Sequence, residues 1–399
     1  MLARYLDATT ILPSDHDVAL LVGRAWIPAF AGPAPVLART DGVYDLSSIA
    51  ATASELFARE DAVAAIRDAT SLPRLATLMA GLANSDPAAR DPAQPWLLAP
   101  CDWQPIKASG VTFVASMLER VIEEQARGDP ARAESTRRAI TAVIGDNLSR
   151  VVPGSPEAAE LKRVLVAQNA WSQYLEVGIG PDAEIFTKCA PLSAVGVGAD
   201  IGVLAKSTWN NPEPEIVLAV DAKGRTVGAT LGNDVNLRDY EGRSALLLGK
   251  AKDNNASCAI GPFVRLFDDH YGIDDVRAAD IALHVEGPEG FVLDDVSSMS
   301  RISRDPLDLV RHAIGAEHQY PDGLMLFLGT MFAPTRDRFA PGQGFTHAVG
   351  DIVSVSTPTL GALVNRVDHC HHVEPWTFGA AALARSLARR GLQAPRPSP

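Results

Sequence analysis

Cysteine is scarce: four residues in 399, Cys101, Cys189, Cys258 and Cys370, lie far apart with no paired spacing. This offers neither a disulfide framework nor a zinc set, and it predicts reduced thiols in a cytosol. Long apolar runs are missing too; none approaches the ~18 residues a membrane helix needs. The opening stretch, Met1 to Pro13, carries Arg4 and Asp7 and has no apolar centre, unlike a secretory leader. Basic residues are outnumbered, 36 against 48 acidic, for a net charge of −12. With no basic stripe, neither nucleic acid nor a membrane surface is an expected partner. Internal repeats and long low-complexity tracts are also lacking. What is there, 47% hydrophobic and 21% charged residues, excludes wholesale disorder. The expectation is a soluble cytoplasmic enzyme of two or three domains.

Residues Gly23 to Ser47 alternate short apolar runs with Gly and Pro and read as small strands and turns. Ala50 to Ala83 is Ala-rich with helical spacing and predicts one or two helices. Asn84 to Pro100, rich in Pro, Asp and Ala, reads as a linker. It divides a small N-terminal α/β domain, 1–100, from a larger catalytic domain, 101–399. Helices are predicted at Ala115–Gly128, Pro130–Leu148 and Pro156–Tyr174; the second opens on Asp129-Pro130, a cap followed by proline at the first helical position. Beyond Val177 the texture is β-rich, with strands at Glu215–Val220, Ile281–Val285, Gly323–Leu328 and Asp351–Val355. Helices are expected at Pro306–Ile314 and Ala380–Arg390, ahead of a loose Pro-rich tail. Crowded strands with few helices between them indicate a β-roll or barrel rather than a doubly wound sheet.

Familiar templates fail. Gly196, Gly198 and Gly202 miss the dinucleotide spacing, Gly249-Lys250 lacks the rest of a phosphate loop, and no serine sits in a Gly-x-Ser-x-Gly elbow. His369-Cys370-His371-His372 has ligand-type residues, but neighbours diverge and no distant pair completes a zinc set; it reads as an interface or tail cluster. His318 and His347 stand near loops. The densest polar cluster runs from Trp209 to Pro262. Glu213 and Glu215 lie two apart at the mouth of an apolar run, so a strand puts both carboxylates on one face. Such a pair is either a solvated strand face or a site holding something positive between like charges. Asp234, after the Gly232-Asn233 turn, suits an adjacent antiparallel strand. Three carboxylates without His or Cys make an all-oxygen site for Mg²⁺, Mn²⁺ or Ca²⁺. Arg238, Lys250 and Lys252 stand near, either balancing local charge or serving chemistry at an oxyanion or a proton.

The order Glu-x-Glu, Gly-Asn-Asp-Val-x-x-Arg-Asp, then Ala-Lys with Gly-Pro about nine residues after the lysine resembles the fumarylacetoacetate hydrolase superfamily. Leu328-Gly329-Thr330, Gly350-Asp351-Ile352-Val353 and Leu360–Val367 resemble its Gly-Thr turn and closing strands. The wording is most similar to the dehydratases of 2-keto-3-deoxy pentonates, in GRAWIPA, GVTFVASMLERVIEE, WSQYLEVGIGPDAEIFTK, SSMSRISRDP and HQYPDG–LFLGTMFAP, so the likeness runs over nearly the whole chain. It implies an α+β fold, a mixed β-sandwich roll with a smaller α/β N-terminal domain, and a homodimer or dimer of dimers.

Residue by residue, the resemblance implies that Glu213, Glu215 and Asp234 hold Mg²⁺ (or Mn²⁺), that Lys252 is catalytic, and that Lys188 lines the pocket. Arg238 and Thr330 match substrate-binding positions. Where the hydrolases carry a water-activating histidine, in Gly-x-Asn-Tyr-x-x-His-x-x-Glu, this chain has Ser116, with Glu119 kept. Serine is no base near neutral pH without help, whereas elimination requires no such histidine. The implied reaction is loss of water from a D-xylonate- or L-arabinonate-derived 2-keto-3-deoxy sugar acid. A proton leaves carbon 3 with Lys188 or Lys252 as base, hydroxide leaves carbon 4 helped by Glu119 or Ser116, and tautomerisation gives 2-oxoglutarate semialdehyde. An acylpyruvate hydrolase is the main alternative; a ketoacid decarboxylase or tautomerase and a silent scaffold follow it.

Overall fold

The computed structural model describes residues 2–127, 129, 151–167, 171–330, 334 and 336–392. The expected helix Pro130–Leu148 and part of the expected tail lie outside them, as do Met331, Phe332 and Ala333 of the likeness. Among the described residues, two large sheets pack face to face, joined by helices. The larger has eleven strands, in the order Arg74–Ala76, Gly42–Asp45, Gly32–Arg39, Leu21–Ile27, Cys258–Leu266, Thr226–Asp234, Pro214–Val220, Leu324–Phe327, Ile106–Gly110 and Glu184–Cys189, with Trp96–Leu98 paired to Leu21–Ile27. The smaller runs Val292–Ser298, Asp280–Glu286, Ile352–Thr357, Gly361–His369, Asp200–Val203. Nearly all pairs are antiparallel; Leu324–Phe327 with Ile106–Gly110 is parallel, as is Gly361–His369 with Asp200–Val203. This is the α+β sandwich expected. No helix among the described residues is long and apolar enough to cross a membrane.

The large sheet is covered on both faces. One face carries Leu218, Leu231 and Phe263 against Leu283, Val355 and Leu363 of the smaller sheet. The other carries Val217, Ile260, Val264 and Met325 against Leu56, Phe57 and Ile66 of the short helices Ala53–Ala58 and Ala62–Arg67. Double coverage removes the alternation of apolar and polar residues from the central strands. All seven residues of Pro214–Val220 and all nine of Cys258–Leu266 are buried.

The division at residue 100 does not coincide with a break in the sheet. Leu21 and Val22 pair with Arg265 and Val264, so the first strands extend the sheet that carries the polar cluster. The segment read as a linker supplies Trp96–Leu98, opposite Arg24–Trp26. Its prolines and aspartates flank that short strand rather than a joint between bodies.

Helix Val114–Ala126 buries Met117, Val121 and Ile122 against Tyr174 and Leu175 of helix Gln173–Ile179. The expected helix Pro156–Tyr174 is two helices, Pro156–Ala167 and Gln173–Ile179; Ser172 caps the second through the N–H of Tyr174.

Candidate metal centre

Pro214–Val220 and Thr226–Asp234 pair antiparallel, with Glu215 opposite Gly232 and the Asp234 N–H donating to the Glu213 carbonyl at 3.0 Å. This register brings the ends of both strands together. A ligand oxygen of each of Glu213, Glu215 and Asp234 lies within 4.8 Å of the others, and all three side chains are buried. They open into a narrow cavity of about 20 Å³, also lined by Gly110, Arg120, Glu184, Phe186, Glu241, Lys252 and Thr330.

The turn after Leu324–Phe327 closes one side. The Gly329 N–H donates to Glu215 Oε2 at 2.6 Å, and the Thr330 hydroxyl donates to the Pro214 carbonyl at 3.2 Å. Lys252, at the end of helix Leu248–Lys252, bridges Glu213 and Asp234, the latter at 2.9 Å. Lys188 is fully buried. Its Nζ lies 2.8 Å from Asp234 Oδ1 and donates to the Val235 carbonyl at 3.0 Å. On strand Glu184–Cys189, Glu184 and Phe186 line the cavity and Lys188 follows on the same face, behind the carboxylate. The resemblance had placed Lys188 on the pocket wall; the structure makes it the support of Asp234.

Arg238 Nη2 lies 3.4 Å from Glu119 Oε2, and its guanidinium stacks 4.2 Å over Trp209. Ser116 lies on helix Val114–Ala126, with its side chain outside the described ones.

Three polar residues of the cavity escape a reading of the sequence by motif. Arg120 pairs with Glu213 and, at 3.0 Å, with Glu241. Its signal is its place directly after Glu119. Glu241 sits three residues beyond Arg238 on one helical turn. Glu184 stands two residues before Phe186, where strand alternation directs it to the same face. It lies opposite Gly110, and a Cβ there would come within 2.0 Å of its carboxylate. The glycine makes room for the acid.

Burial, and then Asp234 and Glu213, push the Glu215 carboxyl well above its ordinary range. Burial, and then Glu241, push Glu184 up to about 7. Burial would also raise Asp234, but Lys188 and Lys252 outweigh it and hold the group low. Burial disfavours charge on Lys252, yet Asp234, Glu213 and Glu241 overcome it and hold the amine above its ordinary value. Lys252 is therefore a cation in this arrangement and not the free amine a base requires.

The donor set fits a hard divalent cation. Glu184, Glu213, Glu215, Asp234 and Glu241 face Arg120, Lys188 and Lys252, an excess of two negative charges when all are ionised. The nearest donors are all oxygen. Among the described residues this is the one cluster of His, Cys, Asp or Glu with such geometry. His369, His371 and His372 make ring contacts instead, with His372 near Asp368. His347 is buried beside Asp351 and Arg338.

No family model matches the chain. Curated relatives do. It is 30% identical over 194 residues to a probable 2-keto-3-deoxyxylonate dehydratase of Haloferax volcanii, covering 49% of this chain and 63% of that protein. It is 29% identical over 184 residues to a 2-dehydro-3-deoxy-D-arabinonate dehydratase of Saccharolobus solfataricus, covering 46% and 58%. The matched span is thus about six tenths of the length of these relatives. Among solved structures, a 2-keto-3-deoxy-D-arabinonate dehydratase complexed with magnesium and 2,5-dioxopentanoate aligns with TM-score 0.60 at 18% identity, over 87% of this chain and 98% of the other. A fumarylacetoacetate hydrolase of Exiguobacterium antarcticum aligns with TM-score 0.52 at 16% identity, over 88% and 99%. Strand order and these alignments agree on the fold, which is that of the dehydratase and fumarylacetoacetate hydrolase structures, while the sequence likeness is to the 2-keto-3-deoxy pentonate dehydratases.

Proposed function

We propose that the chain is a divalent-metal-dependent hydro-lyase that removes water from a 2-keto-3-deoxy pentonate, D-xylonate- or L-arabinonate-derived, to give 2-oxoglutarate semialdehyde. The observation that carries the reading is the buried all-oxygen cluster of Glu213, Glu215 and Asp234. The likeness to two dehydratases favours elimination over hydrolysis, as does Ser116 at the position of the hydrolases' histidine. Glu213, Glu215 and Asp234 would hold Mg²⁺ or Mn²⁺, which when bound supplies Lewis acidity toward the carboxylate and 2-keto oxygens of the substrate.

The protein's own groups do the rest. Arg120 and Lys252 restrain the carboxylates, and Lys188 fixes Asp234 from behind. Thr330 and Arg238, the latter braced by Glu119 and Trp209, orient the substrate carboxylate. Glu184, with a carboxyl near neutral, suits proton transfer at carbon 3. The proton it takes is the one the departing hydroxyl on carbon 4 needs, so one carboxyl serves both ends of the elimination. Lys252 acts as a cation that steadies the negative charge developing on the keto oxygen. The reading includes a cytoplasmic homodimer or dimer of dimers.

Metal-stripped protein is incubated with each enantiomer of the substrate, which differ at carbon 4, with and without Mg²⁺, and with acylpyruvate in parallel. Metal-dependent semialdehyde supports the dehydratase. Cleavage of acylpyruvate without semialdehyde would return the chain to the hydrolases.

A further inference from the structure

A second cavity, of about 490 Å³, lies away from the carboxylate cluster and shares none of its lining residues. Strand Leu21–Ile27 places Arg24 and Trp26 on one face, and their direct partners across the antiparallel pair, Leu98 and Trp96, complete a floor. Trp26 stacks on Trp96 with ring centres 5.5 Å apart, and Phe378 meets Trp26 edge-on at 5.0 Å. Trp376, 47% exposed, stands at the side. The volume falls in the ~300–1,000 Å³ range of small-molecule sites.

Arg24 is the anomaly. It is 5% exposed and lines this cavity, yet its Nε and Nη1 are buried with no hydrogen-bond partner among the described residues. The acid nearest in influence, Asp102, is committed elsewhere: it accepts from the Ala53 and Ser54 N–H groups and the Ser54 hydroxyl. The other arginine of the cavity, Arg90, is already paired with Glu374 at 2.7 Å and stacked 4.7 Å over Trp96. A buried cation without a partner is costly, and an incoming anion removes that cost.

We propose that this cavity binds a small monocarboxylate with a flat apolar body, its carboxylate on Arg24 and its body against Trp26, Trp96 and Phe378. One unpaired guanidinium in an apolar surround matches one negative charge, offered as a planar fork. The aromatic walls match a flat body. The site also touches Asn255 and Ala256, three and four residues beyond Lys252.

The probe is 4-fluorophenylacetate followed by ¹⁹F NMR on the full chain with Mg²⁺ and excess pyruvate, which keeps the probe from the metal cavity. Its neutral amide serves as control. Saturable binding is expected, at least about tenfold weaker for the amide and at least about tenfold weaker in Arg24→Met, as loss of a charge-assisted pair requires. Arg24→Met is expected to melt no lower than the parent, because it removes an unpartnered buried charge. Trp376→Ala, at an exposed position, is expected to weaken binding without changing the melt. The proposal is overturned by any one of four results: no saturable signal, equal binding of the amide, binding unchanged in Arg24→Met, or a large drop in that variant's melting temperature. It is equally overturned if either variant changes the particle mass in solution, since the face would then be a subunit contact.

Discussion

At the scale of single residues, Glu215 and Glu184 carry the most exposed claims. Glu215 is pushed toward its neutral form by burial and by two neighbouring carboxylates, so a neutral isostere suits the metal-free protein. Glu215→Gln should melt at or above the parent in the presence of chelator, lose the stabilisation that Mg²⁺ confers on the parent, and drop in turnover by more than about 100-fold. That loss exceeds the 10–100-fold typical of groups that only support a ligand. For Glu184, raised to about 7, the sign is fixed by linkage. Its contribution to stability is whole below the ordinary carboxylate pKa and is lost as pH rises through about 7; Glu215 acts in the same direction. Glu184 alone should therefore cost the chelated protein roughly 2–3 kcal/mol between pH 5 and 8, read by urea titration at each pH as the difference in slope between the parent and Glu184→Gln. If Glu184 carries the proton, the acid limb of kcat/KM lies near 7 in the parent and vanishes in the variant. An unaltered limb would remove Glu184 from the mechanism. The triad itself was legible in the sequence, because a spacing of two and a turn-separated partner strand are local signals. Glu184 and Arg120 were not, because they reach the cavity from a strand and a helix whose proximity only the assembled sheet decides.

At the scale of elements, the turn after Leu324–Phe327 is the clearest case of backbone serving chemistry. Gly329 adopts φ +91°, its N–H holds Glu215, and a Cβ there would lie 2.0 Å from the Thr112 hydroxyl, which itself donates to the Leu328 carbonyl. Gly329→Ala should destabilise by about 2–4 kcal/mol, combining backbone strain with displacement of Thr112, and should weaken Mg²⁺ binding by releasing Glu215. Denaturant midpoints and metal titration read the two effects apart. Most elements could be placed from sequence: Asp280–Glu286, Ile352–Thr357, Pro306–Ala313 and Ala380–Arg389 stand within a residue or two of the expected spans. Cys258–Leu266 was not seen as a strand, since burial on both faces leaves a nine-residue run with no alternation and with Gly261-Pro262 at its centre.

At the scale of the whole molecule, the shared sheet argues against independent halves. Residues 101–399 expressed alone would expose the outer edge of Cys258–Leu266, where Leu21 and Val22 belong, and uncover Val264 and Ile260 where Leu56 and Phe57 pack. That fragment should aggregate, and adding residues 1–100 in trans should restore soluble material; a soluble, cooperatively melting 101–399 would establish two separable domains. The fold class is readable from strand crowding, but composition cannot say whether a Pro-rich stretch crosses a gap or edges a sheet, as Trp96–Leu98 does beside Arg24–Trp26.

The strand Leu324–Phe327 lies between Pro214–Val220 and Ile106–Gly110, although it is made more than a hundred residues after the first of them. On the ribosome, the two flanking strands emerge with a vacant slot between them and must wait for it to be filled. A strand as apolar as Ile216 to Val220 within Pro214–Val220, held open for that interval, is an adhesive edge. Synthesis, rather than the finished protein, is when this chain most needs a chaperone, and a slower passage of the ribosome between codons 220 and 324 should lower its soluble yield.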